Sequence, residues 1–198
     1  MALQFWFEFA STYSYLAAHR VGALAQSGQV DIEWRPFLLG PVFARQGLTD
    51  SPFNQNPDKG RYMWRDMERL CAEYGIPFKK PSVFPRDSLL AARLACLGQG
   101  RAWLPTFVQA VYRCNFADDQ DIADPALMRA ILDALGQPGA ELLDQAGTPE
   151  VKALLRAQTD QAMTLGIFGA PSFIAGGELF WGNDRLEYAL ARQLQAGA

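Results

Sequence analysis

The first thirty-six residues constrain this chain most. Leu3, Phe5, Phe7 and Phe9 alternate with Gln4, Trp6 and Glu8, the period-two pattern of a strand with one strongly apolar face. Ser11 and Thr12 then offer hydroxyl oxygens at the start of a helix whose apolar residues recur at Leu16, Val21, Leu24 and Ala25, with Gly28 as its stop. Val30, Ile32 and Trp34 alternate with Asp31, Glu33 and Arg35 in a second strand that Pro36 halts. A strand-helix-strand crossover implies two parallel strands in one sheet.

The far end of the chain returns to strands. Thr148-Pro149 opens a long helix through Leu165 that Gly166 stops. Residues 171–175 and 178–181 read as strands flanking Gly176-Gly177, a strong two-residue hairpin signal. Gly182-Asn183-Asp184 then caps a final helix from Arg185 to about Gln195. Between these ends the period changes. The stretch from Gly47 to Lys59, with Pro52, Asn54, Asn56, Pro57 and Asp58, reads as irregular. Helical spacing follows at Tyr62–Tyr74, Leu89–Leu97, Trp103–Tyr112 and Leu127–Leu135, the last with Asp124 as N-cap, Pro125 at its first position and Gly136 past its end.

The order β-α-β, helices, α-β-β-α is the thioredoxin arrangement, an α/β fold with a large all-helical insertion. The expected division is a thioredoxin-like domain from residues 1–58 and 150–198, with 59–149 as the insertion. In that arrangement Ser11 closes the first strand and opens the first helix, where a redox protein of this type carries its first reactive cysteine. Ala170-Pro171 stands where the fold carries a cis-proline facing the active site.

Composition narrows the function classes. Apolar residues make up 49% and charged residues 20%, as in ordinary soluble globular proteins, and the net charge of −3 leaves no basic footprint for nucleic acid. No apolar run approaches the ~20 residues that cross a bilayer. The stretch MALQFWFEFA lacks the basic region and small-residue cleavage site of a signal peptide, so a cytoplasmic location is expected. Cys71, Cys96 and Cys114 are scattered and form no C-x-x-C pair, so they predict reduced, mostly buried thiols without metal-ligand spacing. The one histidine, His19, lies about 12 Å of helical rise from Ser11 and reads as a packed or surface residue rather than its general base.

The segment Phe9-Ala10-Ser11-Thr12-Tyr13-Ser14-Tyr15-Leu16-Ala17 resembles the start of 2-hydroxychromene-2-carboxylate isomerases and kappa-class glutathione transferases. Residues 168–173 and 180–186 resemble their C-terminal signature, and Lys59-Gly60-Arg61-Tyr62 and Tyr74-Gly75-Ile76-Pro77 fit between, so the likeness spans nearly the whole chain. The resemblance implies glutathione as cofactor, with Ser11 hydrogen-bonding its sulfur. Ala170, just before Pro171, would pair its backbone with the cysteinyl part. Asn183 and Asp184 would hold the γ-glutamyl end, Asp184 meeting the ammonium group. Lys59 and Asn54 would sit near glutathione or a substrate carboxylate; Asn54 is preferred to Asn56 because Phe53-Asn54-Gln55-Asn56-Pro57 departs from the kappa pattern. Arg61, Arg65 and Arg86 are further anion candidates, and Trp6, Trp64, Trp103 and Phe43 are candidates for an aromatic cleft, although core packing accounts for most of these.

The physics of the serine is separable from the family. Lowering a thiol pKa by two units from about 8.5 requires ~2.7 kcal/mol. A charge-assisted hydroxyl bond supplies ~1.5–3 kcal/mol and a helix N-terminus ~0.3–1 kcal/mol. Ser11 is equally a favoured N-cap, and the two roles are compatible. Serine at both Ser11 and Ser14 disfavours dithiol exchange. The resemblance implies a glutathione-dependent 2-hydroxychromene-2-carboxylate isomerase, acting by transient addition of the glutathione thiolate to a small aromatic or conjugated carboxylate. The alternatives are a kappa-like transferase and a non-catalytic glutathione- or peptide-binding module. No metal, nucleic acid or membrane is expected, and the resemblance is compatible with a homodimer.

Overall fold

The computed structural model describes residues 2–27 and 30–197; Gly28, the expected helix stop, lies outside them. Four strands form one mixed sheet in the order β2-β1-β3-β4. β1 (Leu3–Phe7) runs parallel to β2 (Ile32–Pro36) in the register Leu3 to Ile32 through Phe7 to Pro36, joined by α1 (Thr12–Ser27). β3 (Ser172–Ala175) pairs antiparallel with β1, Phe5 opposite Phe173, and β4 (Glu178–Trp181) pairs antiparallel with β3. This is the thioredoxin topology that the two ends of the sequence predict.

β1 is covered on both faces. Leu3, Phe5 and Phe7 point into the main core with α1 residues Leu16 and Val21, and Phe5 lies 5.4 Å from the rings of both Phe7 and Phe173. Trp6 and Glu8, which alternate with the apolar face, are buried as well. Trp6 packs with Phe37, Val42, Ala162 and Ile167 in a second cluster, because α9 (Pro149–Thr164) and α2 (Leu39–Arg45) cover that side. A central strand in a doubly covered sheet loses its polar face, and the period-two pattern then carries less information.

The segment between β2 and α9 is helical, as expected, with α4 (Pro57–Tyr74), α5 (Leu89–Leu97), α6 (Leu104–Phe116) and α7 (Pro125–Ala134) at the anticipated places. α2 and α8 (Gly139–Ala146) are additional. The stretch expected to be irregular also holds α3 (Pro52–Gln55) and the start of α4. Ser51 accepts from the Phe53 amide and Asn56 from the Lys59 amide, each just before a proline at the first helical position. These are the same cap-and-proline signals that mark α7, hidden here by a polar, turn-rich composition. At the C-terminus a 3-10 turn (Asn183–Arg185) precedes α10 (Leu186–Gly197), so the final helix begins one residue later than expected.

The β3-β4 hairpin turns through Gly176 at φ +54° and Gly177 at φ +82°. Nothing lies within 4 Å of a Cβ built on Gly177, so any cost of a side chain there is conformational. Gly177→Ala is expected to lower the unfolding free energy by about 1–2 kcal/mol, and Gly177→Asn by distinctly less, since asparagine tolerates the left-handed region. Urea denaturation of the two variants beside the wild type measures the difference.

Candidate functional site

The turn between β1 and α1 is anchored by hydrogen bonds within itself and to the far end of the chain. The Ser11 amide donates to the Glu8 carbonyl at 3.0 Å, and the Ser11 carbonyl accepts from the Tyr15 amide at 3.2 Å. The Ser11 hydroxyl accepts from the Ser14 amide at 3.2 Å, the N-cap bond that its residue type favours. It donates its own proton at 3.0 Å to the carbonyl of Ala170, 159 residues away. The Ala170-Pro171 bond is cis, as its place in the topology predicts. Among the described residues the Ala170 amide makes no hydrogen bond, so Ala170 offers one unused backbone donor and one carbonyl held only by Ser11.

Two cavities meet at this point. The larger, about 1050 Å³, has Ser11, Glu8, Lys59, Ser88 and Ala170 among its lining groups. Its walls are otherwise mostly apolar, with Leu38, Phe43, Phe53, Phe84 and Phe168. The smaller, about 480 Å³, is lined by Asp66, Tyr74, Pro171, Asn183 and Asp184. Tyr13, Ala170 and Trp181 line both. Trp181 packs its ring 4.9 Å from Phe168, and a Cβ on Gly169 would come within 2.5 Å of its indole nitrogen, so glycine is required at 169 for that approach. The Tyr13 hydroxyl donates to Asp66 at 2.9 Å, fixing the opposite side of the junction.

Glu8 is the functional group that the sequence pattern concealed. It is a buried lining residue of the larger cavity, and one carboxylate oxygen accepts from the Ala10 amide at 2.9 Å and the other from the Ser88 hydroxyl. Burial pushes its pKa from an ordinary 4.5 up to about 7, against the bonds from Ser88 and Ala10 that favour the charged form. The available signal was the charge itself: one carboxylate inside the run Phe5-Trp6-Phe7-Glu8-Phe9, where every neighbour is aromatic.

The other expected site residues divide. Ser11, Lys59 and Ala170 come together on the larger cavity, and Pro171, Asn183 and Asp184 on the smaller. Lys59 forms no ion pair among the described residues. Asp184 is exposed and pairs with Arg185 at 2.9 Å. Asn183 is buried, with its side-chain oxygen accepting from Arg20 at 3.0 Å. Asn54 lines neither cavity; its amide donates to Asp50 at 3.1 Å and to the Phe84 carbonyl at 3.3 Å. Arg61 and Arg65 are exposed and paired with Asp58 and Glu68. Arg86 is a clasp, its guanidinium donating to Asn115, Asp119 and Ser82. Of the four aromatic candidates only Phe43 lines the cavity; Trp6 is in the second core cluster, and Trp64 and Trp103 pack against the main core. His19 stands edge-on to Tyr15, with burial lowering its pKa. No cysteine lines either cavity, and burial pushes the Cys71 and Cys96 thiols up to about 12. Among the described residues no group of side chains is placed to hold a metal ion, and no helix is long and apolar enough to cross a membrane.

The family described as DSBA-like thioredoxin domain matches residues 2–195. The chain is 30% identical over 186 residues to a 2-hydroxychromene-2-carboxylate isomerase of Sphingobium xenophagum, covering 94% of each. It is 25% identical over 199 residues to human glutathione S-transferase kappa 1, covering 93% of this chain and 87% of the relative. Among solved structures, a 2-hydroxychromene-2-carboxylate isomerase matches with a TM-score of 0.90 at 25% identity, over 100% of this chain and 98% of that one. The cytosolic disulfide reductase DsbM from Pseudomonas aeruginosa, at 16% identity and a TM-score of 0.66 over 99% and 95%, shares the fold.

Glu8 makes stability depend on pH in a definite direction. The unfolded chain releases this proton near 4.5 while the folded protein keeps it to about 7. The contribution is therefore intact below 4.5 and declines as pH rises to about 7, by about 3 kcal/mol. Subtracting the profile of Glu8→Gln from that of the wild type isolates this group; chemical denaturation across the range is expected to show the wild type losing ground to the variant as pH rises.

Proposed function

Because this chain belongs to the DSBA-like thioredoxin domain family and, within it, to the 2-hydroxychromene-2-carboxylate isomerase family, we propose that it is a glutathione-dependent isomerase of a small aromatic or conjugated carboxylate. The observation that carries this reading is the Ser11 hydroxyl, held at the head of α1 and pointed at the peptide before cis-Pro171, where the two cavities join. The kappa-class relatives support glutathione as the thiol. The site fits a thiol-bearing peptide: Ala170 offers a free amide and a carbonyl, the smaller cavity offers the Asp184 carboxylate, and the larger leaves mostly apolar space beyond Ser11.

Bound glutathione supplies a nucleophilic thiolate whose reversible addition to a conjugated double bond leaves that bond free to rotate. Ser11 stabilises the anion. When a peptide amide takes the Ala170 carbonyl, the Ser11 proton is released from that carbonyl and turns to the sulfur, while the Ser14 amide keeps the oxygen in place. Asp184 exchanges Arg185 for the ammonium group of the γ-glutamyl end. Lys59, a cation on the larger cavity with no ion pair among the described residues, meets the substrate carboxylate, and Phe43, Phe53 and Phe84 form the apolar wall for its ring. Asn183 positions this turn through Arg20 and does not itself need to reach the ligand.

A kappa-like transferase uses the same thiolate without the elimination step, and the kappa relatives favour it as the second reading. Assaying 2-hydroxychromene-2-carboxylate isomerisation with and without glutathione, beside conjugation of chlorodinitrobenzene, separates the two. Isomerisation that needs glutathione supports the proposal; conjugation without isomerisation replaces it. Ser11→Ala is expected to lower the isomerisation rate by about 10–100-fold, for ~1.4–2.7 kcal/mol of lost transition-state stabilisation. Asp184→Asn, at an exposed ion pair, is expected to raise the KM for glutathione by about threefold with little change in kcat. Unchanged kinetics in Ser11→Ala with glutathione still required would remove its assigned role.

A further inference from the structure

We propose that Glu8 is the acceptor for the thiol proton of bound glutathione, so that the sulfur and this carboxyl share one proton across the neutral range. The inference rests on the glutathione reading above and deepens it. Glu8 and Ser11 stand three residues apart on one turn and line the same cavity. The carboxyl is buried against the Ala10 amide and the Ser88 hydroxyl, with the Ser11 amide also acting on it. Ser88 is itself a lining residue of this cavity, and its hydroxyl donates to the carboxyl.

Two anions side by side against the mostly apolar wall of this cavity repel, and only one of the pair stays charged. In the transfer the sulfur–hydrogen bond breaks and an oxygen–hydrogen bond forms on Glu8. Ser88 passes its proton to the carboxylate as it receives the thiol proton, so its own composition is unchanged. No oxidant or further reactant enters. The carboxyl is suited to this because it titrates near neutrality, at about 7, with burial as the main cause. The groups facing it do not oppose the exchange. Asp87 pushes the proton affinity further up, and Tyr112 of α6, whose hydroxyl donates to the Glu8 carbonyl at 2.8 Å, has its ionisation pushed well above the ordinary range. The cations on the same cavity are Arg86, saturated by Asn115, Asp119 and Ser82, and Lys59, unpaired at an exposed position.

The test is calorimetric titration of the whole protein with glutathione at about pH 8, in two buffers of different ionisation enthalpy, with ultraviolet absorbance reporting the thiolate. The wild type is expected to bind glutathione as thiolate with nearly no proton released, because Glu8 takes the proton up. Glu8→Gln is expected to bind it as thiolate with roughly 0.8 proton released, the fraction that a thiol of pKa about 8.5 still carries at that pH. Equal release from both proteins overturns the proposal. Absence of binding to the wild type overturns the glutathione reading, and this inference with it. A second measurement uses the wild type alone: infrared difference spectra at about pH 8 are expected to gain a protonated-carboxyl band with glutathione and none with S-methylglutathione, which has no thiol proton. The same spectrum for both ligands overturns the assignment even if the variant fails to fold.

Discussion

Everything at the site depends on how the four residues from Glu8 to Ser11 are held. The Tyr112 hydroxyl donates to the Glu8 carbonyl and the Asn115 side chain to the Phe9 carbonyl, which ties α6 to the turn. Ser88 holds the Glu8 side chain, and Arg86 holds Asn115 in turn, which ties in the segment before α5. Ser11 reaches the carbonyl before Pro171, which ties in β3. Buried polar atoms must be paired, and here the pairing itself fixes the helical segment against the sheet. The cavity is the space that remains between parts locked to one turn.

That construction explains why little machinery stands at the centre. One hydroxyl and a helix N-terminus supply a few kcal/mol, which is enough to lower a thiol pKa and not enough to tolerate a second uncompensated anion alongside. The buried carboxyl is therefore an integral part of the electrostatics of Ser11. On the proposed reading, its neutral form permits a negative charge on the neighbouring ligand, and its charged form resists one. On the same proposed reading, the division into two cavities at Trp181 separates holding the peptide from shaping the reactant: the smaller cavity, with Asp66, Asn183 and Asp184, does the first and the largely apolar larger one the second.

The two ends of the fold were legible because their signals are local. Alternation, a Gly-Gly turn and a serine at a strand-helix junction each act within a few residues. The cis bond at Pro171 followed from topology. Trp6 is buried on the second face by α9, more than a hundred residues away, and Glu8 is closed in by Ser88, eighty residues on, and no local period records either. Asn54 was placed by analogy of motif, yet its amide is engaged by Asp50 and Phe84. Arg86 shows the same limit: an arginine in sequence is an anion site or a structural clasp according to whether Asn115 and Asp119 meet it, and those partners lie in another element.

The serine at the head of α1 has a consequence for durability. Ser11 and Ser14 carry no sulfur to oxidise, and the cysteines Cys71 and Cys96 are buried with thiols of low acidity and line neither cavity. On the proposed reading, the only reactive sulfur at the centre arrives with a small peptide and leaves with it. Oxidative damage at the point of chemistry would then fall on a replaceable visitor, and the enzyme would be renewed by exchange rather than by synthesis of a new chain.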